Sequence, residues 1–115
     1  MPFIYHITKK SEADHAAIVG NYQPKFFERD GFIHCSFAQQ VAIVANSNFS
    51  GQTDLVLLEI DPKKLKAKVV NENLVGGQEL FPHIYGALNM DAVVRVLSFA
   101  SKQDGYFEFS VEASD

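Results

Sequence analysis

The chain has no tryptophan and a single cysteine in 115 residues. One cysteine cannot close an internal disulfide, so the fold must rest on its own core, and a reducing, cytoplasmic setting is expected. Basic charge is scarce too. Ten Lys and Arg stand against fourteen Asp and Glu, for a net charge of −4, and the basic residues are scattered apart from "KKLKAK" at 63–68. A long nucleic-acid partner needs a concentrated positive face, so that class is excluded, whereas a small anionic ligand is not. No apolar run reaches membrane-spanning length, and "MPFIYHITKK" lacks the basic start and apolar stretch of a secretory signal, so no membrane association is expected. Repeats, low-complexity tracts and composition breaks are also missing. That leaves no linker and predicts one domain over 1–115.

What is present is 47% hydrophobic, enough for a core at this length. "FIYHIT" (3–8) alternates as a strand, with His6 and Thr8 on one face. "SEADHAAIVG" (11–20) carries a capping-box pattern at Ser11 and Asp14 and a glycine stop at Gly20, with His15 on its wet side. Residues 21–30, with Pro24 and the pair Phe26 and Phe27, read as an irregular connection. "GFIHCS" (31–36) is a short strand that places Phe32, His34 and Ser36 together, and "FAQQVAIVANSNF" (37–49) is a helix with Ser36 as its N-cap and Gln39 completing the box. "LVLLEI" (55–60) is a continuous apolar run, as in a central strand covered on both faces. "KAKVVNE" (66–72) is an edge strand. Gly76 and Gly77 mark 73–86 as the mobile, aromatic loop. "AVVRVLSF" (92–99) and 106–111 form strands, the second entered through an Asp-Gly turn at 101–105. About six strands and two helices, both helices in the N-terminal half, make an α+β fold.

Candidate site residues follow from that placement. His6 and Thr8 share a strand face and can touch one ligand; the structural alternative is a histidine satisfied in a polar pocket. His34 and Ser36 flank a helix start, where free N–H groups and the helix dipole favour an anion; the alternative for Ser36 is a plain cap, worth about 1 kcal/mol. His83 and Tyr85 share a face with Phe81 if "FPHIYG" is extended, and can stack on a flat ring; the alternative is an aromatic loop anchor. Cys35 points away from His34, which fails the geometry of a Cys–His pair and predicts a buried, inert thiol. His6, His34 and His83 suffice in number for zinc. None shows close ligand spacing and no carboxylate joins them in sequence, so no metal is assigned. Glu72 can bring a carboxylate from the neighbouring strand.

"IYHIT", "DGFIHCSFAQQVAIVAN", "DLVLLEID" and "FPHIYGAL" together resemble the DUF952 family of small bacterial proteins of unknown function. The absence of tryptophan is a small departure. That family resembles in turn the ADP-ribosyltransferase-like fold. "His-Ile-Thr" at 6–8 is similar to its first-strand His-Gly-Thr, whose histidine holds the ribose and nicotinamide end of NAD. "Phe-Ile-His-Cys-Ser" at 32–36 is similar to the Val-His-Leu-Ser segment of RNA 2′-phosphotransferases, where a second histidine serves the same site. The resemblance implies split sheets, mixed or antiparallel, splayed like a claw, with NAD or a related nucleotide in the gap. With the residue placement above, it gives a cleft with His6 and His34 as catalytic and Thr8, Ser36, His83 and Tyr85 as ligand-binding. The phosphotransferase arginines have no clear match in Arg29 or Arg95, and Glu72 is the only candidate for the orienting glutamate of the transferases. The alternatives are a non-catalytic binding module and a histidine-ligated metal enzyme.

Overall fold

The computed structural model describes residues 2–25, 27–74 and 77–110. Along them run β1 (Ile4–Lys9), α1 (Lys10–Val19), β2 (Asn21–Tyr22), α2 (Phe27–Asp30), β3 (Ile33–His34), α3 (Val41–Asn48), β4 (Leu55–Ile60), β5 (Lys68–Glu72), β6 (Phe81–Tyr85), β7 (Leu88–Asn89) and β8 (Val93–Phe99). One antiparallel sheet has the order β1-β4-β8, a second the order β3-β6-β5, and β2 pairs with β7 as a two-stranded ribbon. Among the described residues every pairing is antiparallel, so the fold there is α+β without the mixed sheet that stood as an option.

Strand β4 explains the architecture. All six of its residues are buried, as a continuous apolar run requires when both faces of a strand are covered. On one face Val56, Leu58 and Ile60 pack with Ile4, with Ala13 and Ala16 of α1, and with Ile33, Ile84 and Leu88 of the other strands. On the opposite face Leu55 and Leu57 meet Tyr5 and Ile7 of β1, Val41, Val44 and Ala45 of α3, and Phe99 and Phe107. Each fully buried side chain of this kind contributes about 1.5–3 kcal/mol before entropy is counted. The two larger sheets pack through this shared core and, among the described residues, are also joined by a backbone bridge between Tyr5 and Ser36. Tyr5 N–H donates to the Ser36 carbonyl and Ser36 N–H to the Tyr5 carbonyl, both at 2.8 Å.

Several local expectations are overturned, each by a tertiary partner. Helix α1 starts at Lys10, and its N-cap is Lys9 with no side-chain cap; the Lys10 N–H is satisfied by the Asp54 carbonyl at 2.8 Å, so the Ser11–Asp14 box is not used. Ser36 is not an N-cap either. The chain enters α3 through a 3-10 turn at Ala38–Gln40, and the Gln40 side chain, one residue beyond Gln39, accepts the Phe37 N–H at 2.9 Å. The Ser36 N–H is spent on the Tyr5 carbonyl. Residues 21–30, read as irregular, hold β2 and the short α2, so there are three helices in the N-terminal half among the described residues. Within 73–86, expected as a mobile loop, Phe81–Tyr85 is the central strand of the second sheet. Residues 106–110 form no strand: the Asn46 side chain takes both the Phe107 N–H (2.7 Å) and its carbonyl (3.1 Å), so that backbone pairs with a helix side chain. Phe26, Gly76 and Val111, which entered those expectations, lie outside the described residues.

Other expectations agree with the structure. Gly20 ends α1 at φ 97°, a left-handed conformation that costs glycine little, and its N–H reaches the Ala16 carbonyl at 2.7 Å. β5 is an edge strand, His15 is exposed, and Cys35 is buried, with burial pushing its thiol upward.

Candidate functional site

A cleft of about 760 Å3 opens beside the junction of the two larger sheets. β1 contributes Tyr5, His6 and Ile7 to its wall; β3 and its flanks contribute Phe32, His34 and Ser36; β5 contributes Glu72, and β6 contributes Phe81 and His83. Arg29 and Asp30 at the end of α2 close one side, and Ile43, Val44, Ser47, Asn48 and Phe49 of α3 and its C-terminus close another. Three histidines far apart in sequence thus line one hollow.

His6 holds the sheets together. Its Nδ1 lies 2.8 Å from the His34 carbonyl, which can only accept, so Nδ1 carries the proton. Burial drives its pKa from 6.5 to about 4, so the ring is neutral at pH 7 and Nε2 accepts from the Tyr22 hydroxyl at 2.9 Å. The Tyr22 oxygen also shares a hydrogen bond with Thr8 Oγ1 at 3.1 Å, and burial raises that phenol to about 12. Both ring nitrogens of His6 are therefore engaged within the protein.

His34 and His83 sit directly opposite each other on β3 and β6, the close cross-strand position at which side chains touch. Their ring centroids are 5.3 Å apart. His34 is exposed to the cleft, packs against Phe81 at 5.1 Å, and has no ring hydrogen bond among the described residues. Lost solvent around the ring lowers its pKa, and His83 beside it adds to that. His83 is buried and stacks on Phe32 at 4.1 Å with an interplanar angle of 15°. Glu72, two positions off the direct cross-strand partner on β5, accepts from His83 Nδ1 at 2.9 Å and from the Tyr85 hydroxyl. The Tyr85 and His83 hydrogen bonds hold the Glu72 carboxyl below its ordinary range, and Glu72 raises the Tyr85 phenol in return.

Of the six residues assigned to the site, His6, His34, Ser36 and His83 line the cleft. Thr8 and Tyr85 do not. Thr8 is 7% exposed and turned to Tyr22, and the Tyr85 hydroxyl is turned to Glu72. Sequence reasoning missed Tyr22, which sits on a strand too short to show a period. It also missed the wall formed by Arg29, Asp30 and the end of α3. Behind the cleft it missed a buried carboxylate, Glu59, held by the Tyr5 hydroxyl at 2.8 Å and by Arg95 through Nε at 2.8 Å and Nη2 at 3.0 Å. A charge inside "LVLLEI" was the signal for it.

Residues 7–96 match the model of a family described as "Protein of unknown function (DUF952)", and the chain belongs to that family. Its fold is similar to the crystal structure of protein CC0527 from Caulobacter crescentus, at 33% identity and a TM-score of 0.82 over 92% of this chain and 93% of that one. The solution structure of CC0527 is similar at 32% identity and a TM-score of 0.74, over 94% of this chain and 93% of that one. No curated protein matches the chain. Among the described residues no helix is long and apolar enough to cross a membrane, and no group of three or more His, Cys, Asp or Glu is placed to hold a metal ion.

Proposed function

We propose that the cleft binds a nucleotide of the NAD class, as an ADP-ribosyltransferase-like fold would, in a cytoplasmic setting where Cys35 stays reduced. The observation that carries this reading is the convergence of His6, His34 and His83, from three strands of two sheets, on one hollow walled by Phe32 and Phe81. Two antiparallel three-stranded sheets, bridged at Tyr5 and Ser36 and tied by His6 to the His34 carbonyl, with the cleft lined by both, support the split-sheet arrangement that the reading needs. The volume falls within the roughly 300–1,000 Å3 usual for small-ligand sites.

The roles follow from the geometry. The His34 and Phe81 rings offer a stacking surface for a flat heterocycle. Arg29 on the wall, whose Nε is paired with Asp30 at 3.0 Å, brings a guanidinium to the pyrophosphate side beside the turn at Ser36. His6 fixes the cleft floor by joining β1 to β3. When bound, NAD brings an N-glycosidic bond to a cationic ring, which is a ready leaving group. The metal-enzyme alternative lacks a donor set among the described residues, because both nitrogens of His6 are already engaged.

Titration with NAD is expected to raise Tm progressively. At a hundredfold excess over Kd the gain is about 2.7 kcal/mol, or several degrees. His34→Ala, at an exposed site with no ring hydrogen bond to lose among the described residues, is expected to keep the Tm of the free protein and lose most of the NAD-dependent rise. A wild-type Tm unmoved by millimolar NAD contradicts the reading.

A further inference from the structure

We propose that His83 is the general base of this cleft, set by Glu72 to take a proton from a hydroxyl-bearing acceptor. The inference rests on the nucleotide-binding reading and adds the acceptor class and the proton's destination. Glu72 accepts from Nδ1 at 2.9 Å, which places the neutral ring's proton on Nδ1 and its lone pair on Nε2. The Phe32 ring, stacked at 4.1 Å, fixes the imidazole plane. Nε2 has no hydrogen-bond partner among the described residues. Yet no buried side-chain polar atom there is left unpartnered, so Nε2 must be accessible, and His83 lines the cleft. Tyr85 donates to the same Glu72 oxygen and braces it. A nucleophile, a base and a group behind the base that orients it is the recurring plan for activating a neutral O–H. An acceptor that is already anionic has no need of it.

In the transfer, the acceptor oxygen forms a bond to the ribosyl C1′ as the C1′–N bond breaks, and the electron pair of that bond leaves on the heterocycle, cancelling its positive charge. His83 Nε2 takes the acceptor's proton. The Glu72 carboxylate faces the imidazolium so formed, and the proton then passes to water. With water as acceptor the products are ADP-ribose, nicotinamide and one proton. His83 is the catalytic residue in this scheme, and Glu72 is a positioning residue that acts through it.

Three readouts on the full chain test the proposal, with NAD as probe: nicotinamide release, NAD affinity by titration, and the His83 tautomer by 15N NMR of the free protein. His83→Asn is expected to cut release on the order of a hundredfold or more with NAD affinity held within a few-fold. Because His83 is buried and its variant can misfold, Glu72→Ala and Glu72→Gln provide a second line. Glu72→Ala is expected to lower kcat at unchanged KM and move the His83 proton to Nε2. Glu72→Gln, whose amide oxygen still accepts from Nδ1, is expected to restore the tautomer and part of kcat. No NAD binding by the wild type overturns the nucleotide reading and the base assignment with it. NAD binding without nicotinamide release, release that His83→Asn retains, or a wild-type His83 proton on Nε2 overturns the base assignment alone.

Discussion

Acidification from pH 6.5 to pH 4 is expected to remove about 3 kcal/mol of stability through His6 alone. The ring's pKa is about 4 in the fold against 6.5 free, because burial disfavours the cation and outweighs the hydrogen bond to the His34 carbonyl, which favours it. The unfolded chain therefore binds a proton on His6 that the folded chain refuses between those values. The stabilisation is fully present above pH 6.5 and is lost as pH falls towards about 4. Each decade of pH in that window is worth about 1.4 kcal/mol. Urea unfolding at pH 7.5, 5.5 and 4 checks this against His6→Gln, which cannot titrate. The variant is expected to be less stable at pH 7.5, having lost the fitted contacts to the His34 carbonyl and Tyr22. The gap between the two proteins is expected to narrow by about 3 kcal/mol at pH 4. A gap that stays constant with pH contradicts the neutral, fully engaged His6.

Arg95→Ala is expected to cost about 2–3 kcal/mol and to reverse the sign of one pH effect. Tyr5, Glu59 and Arg95 lie in register across β1, β4 and β8, so one carboxylate takes hydrogen bonds from both neighbouring strands. Glu59 is buried, whereas the Arg95 side chain is 61% exposed, so most of the loss comes from stranding the carboxylate. In the wild type Arg95 holds the Glu59 carboxyl below its ordinary 4.5, outweighing burial. Glu59 then adds stability above pH 4.5 that is lost as pH falls through the depressed value. Without Arg95, burial outweighs the remaining Tyr5 hydrogen bond, and the carboxyl rises above its ordinary value. The variant is then relieved by protonation, so its deficit is widest at pH 7 and shrinks on acidification. Chemical denaturation at pH 7, 5 and 3.5 reads this directly, and a deficit independent of pH contradicts it.

These expectations also mark where local reading of the sequence succeeded. β4 was legible because six consecutive residues carry the apolar run that a strand buried on both faces demands, and β8 because its β-branched and aromatic residues favour a strand even though only Phe99 is buried. β2 and β7, with two residues each, are too short for any period, and only their mutual pairing makes them strands. Ser36 was misread for a different reason. Only the return half of a capping box forms, one residue later, where the Gln40 side chain accepts the Phe37 N–H, and the Ser36 backbone is taken up by the bridge to Tyr5. The three histidines were legible as residue types on the right faces. What no spacing revealed is the register that sets His34 opposite His83, or the diagonal reach that brings Glu72 to both His83 and Tyr85. Such pairings depend on which strands are neighbours, and sequence distance does not encode that.

Crystals soaked with NAD give the most direct test of the cleft as a nucleotide site. If the cleft is the proposed nucleotide site, a heterocycle is expected packed against the His34 and Phe81 rings with the pyrophosphate toward Arg29. NAD bound on another face of the molecule, or a cleft still empty at saturating NAD, contradicts the account.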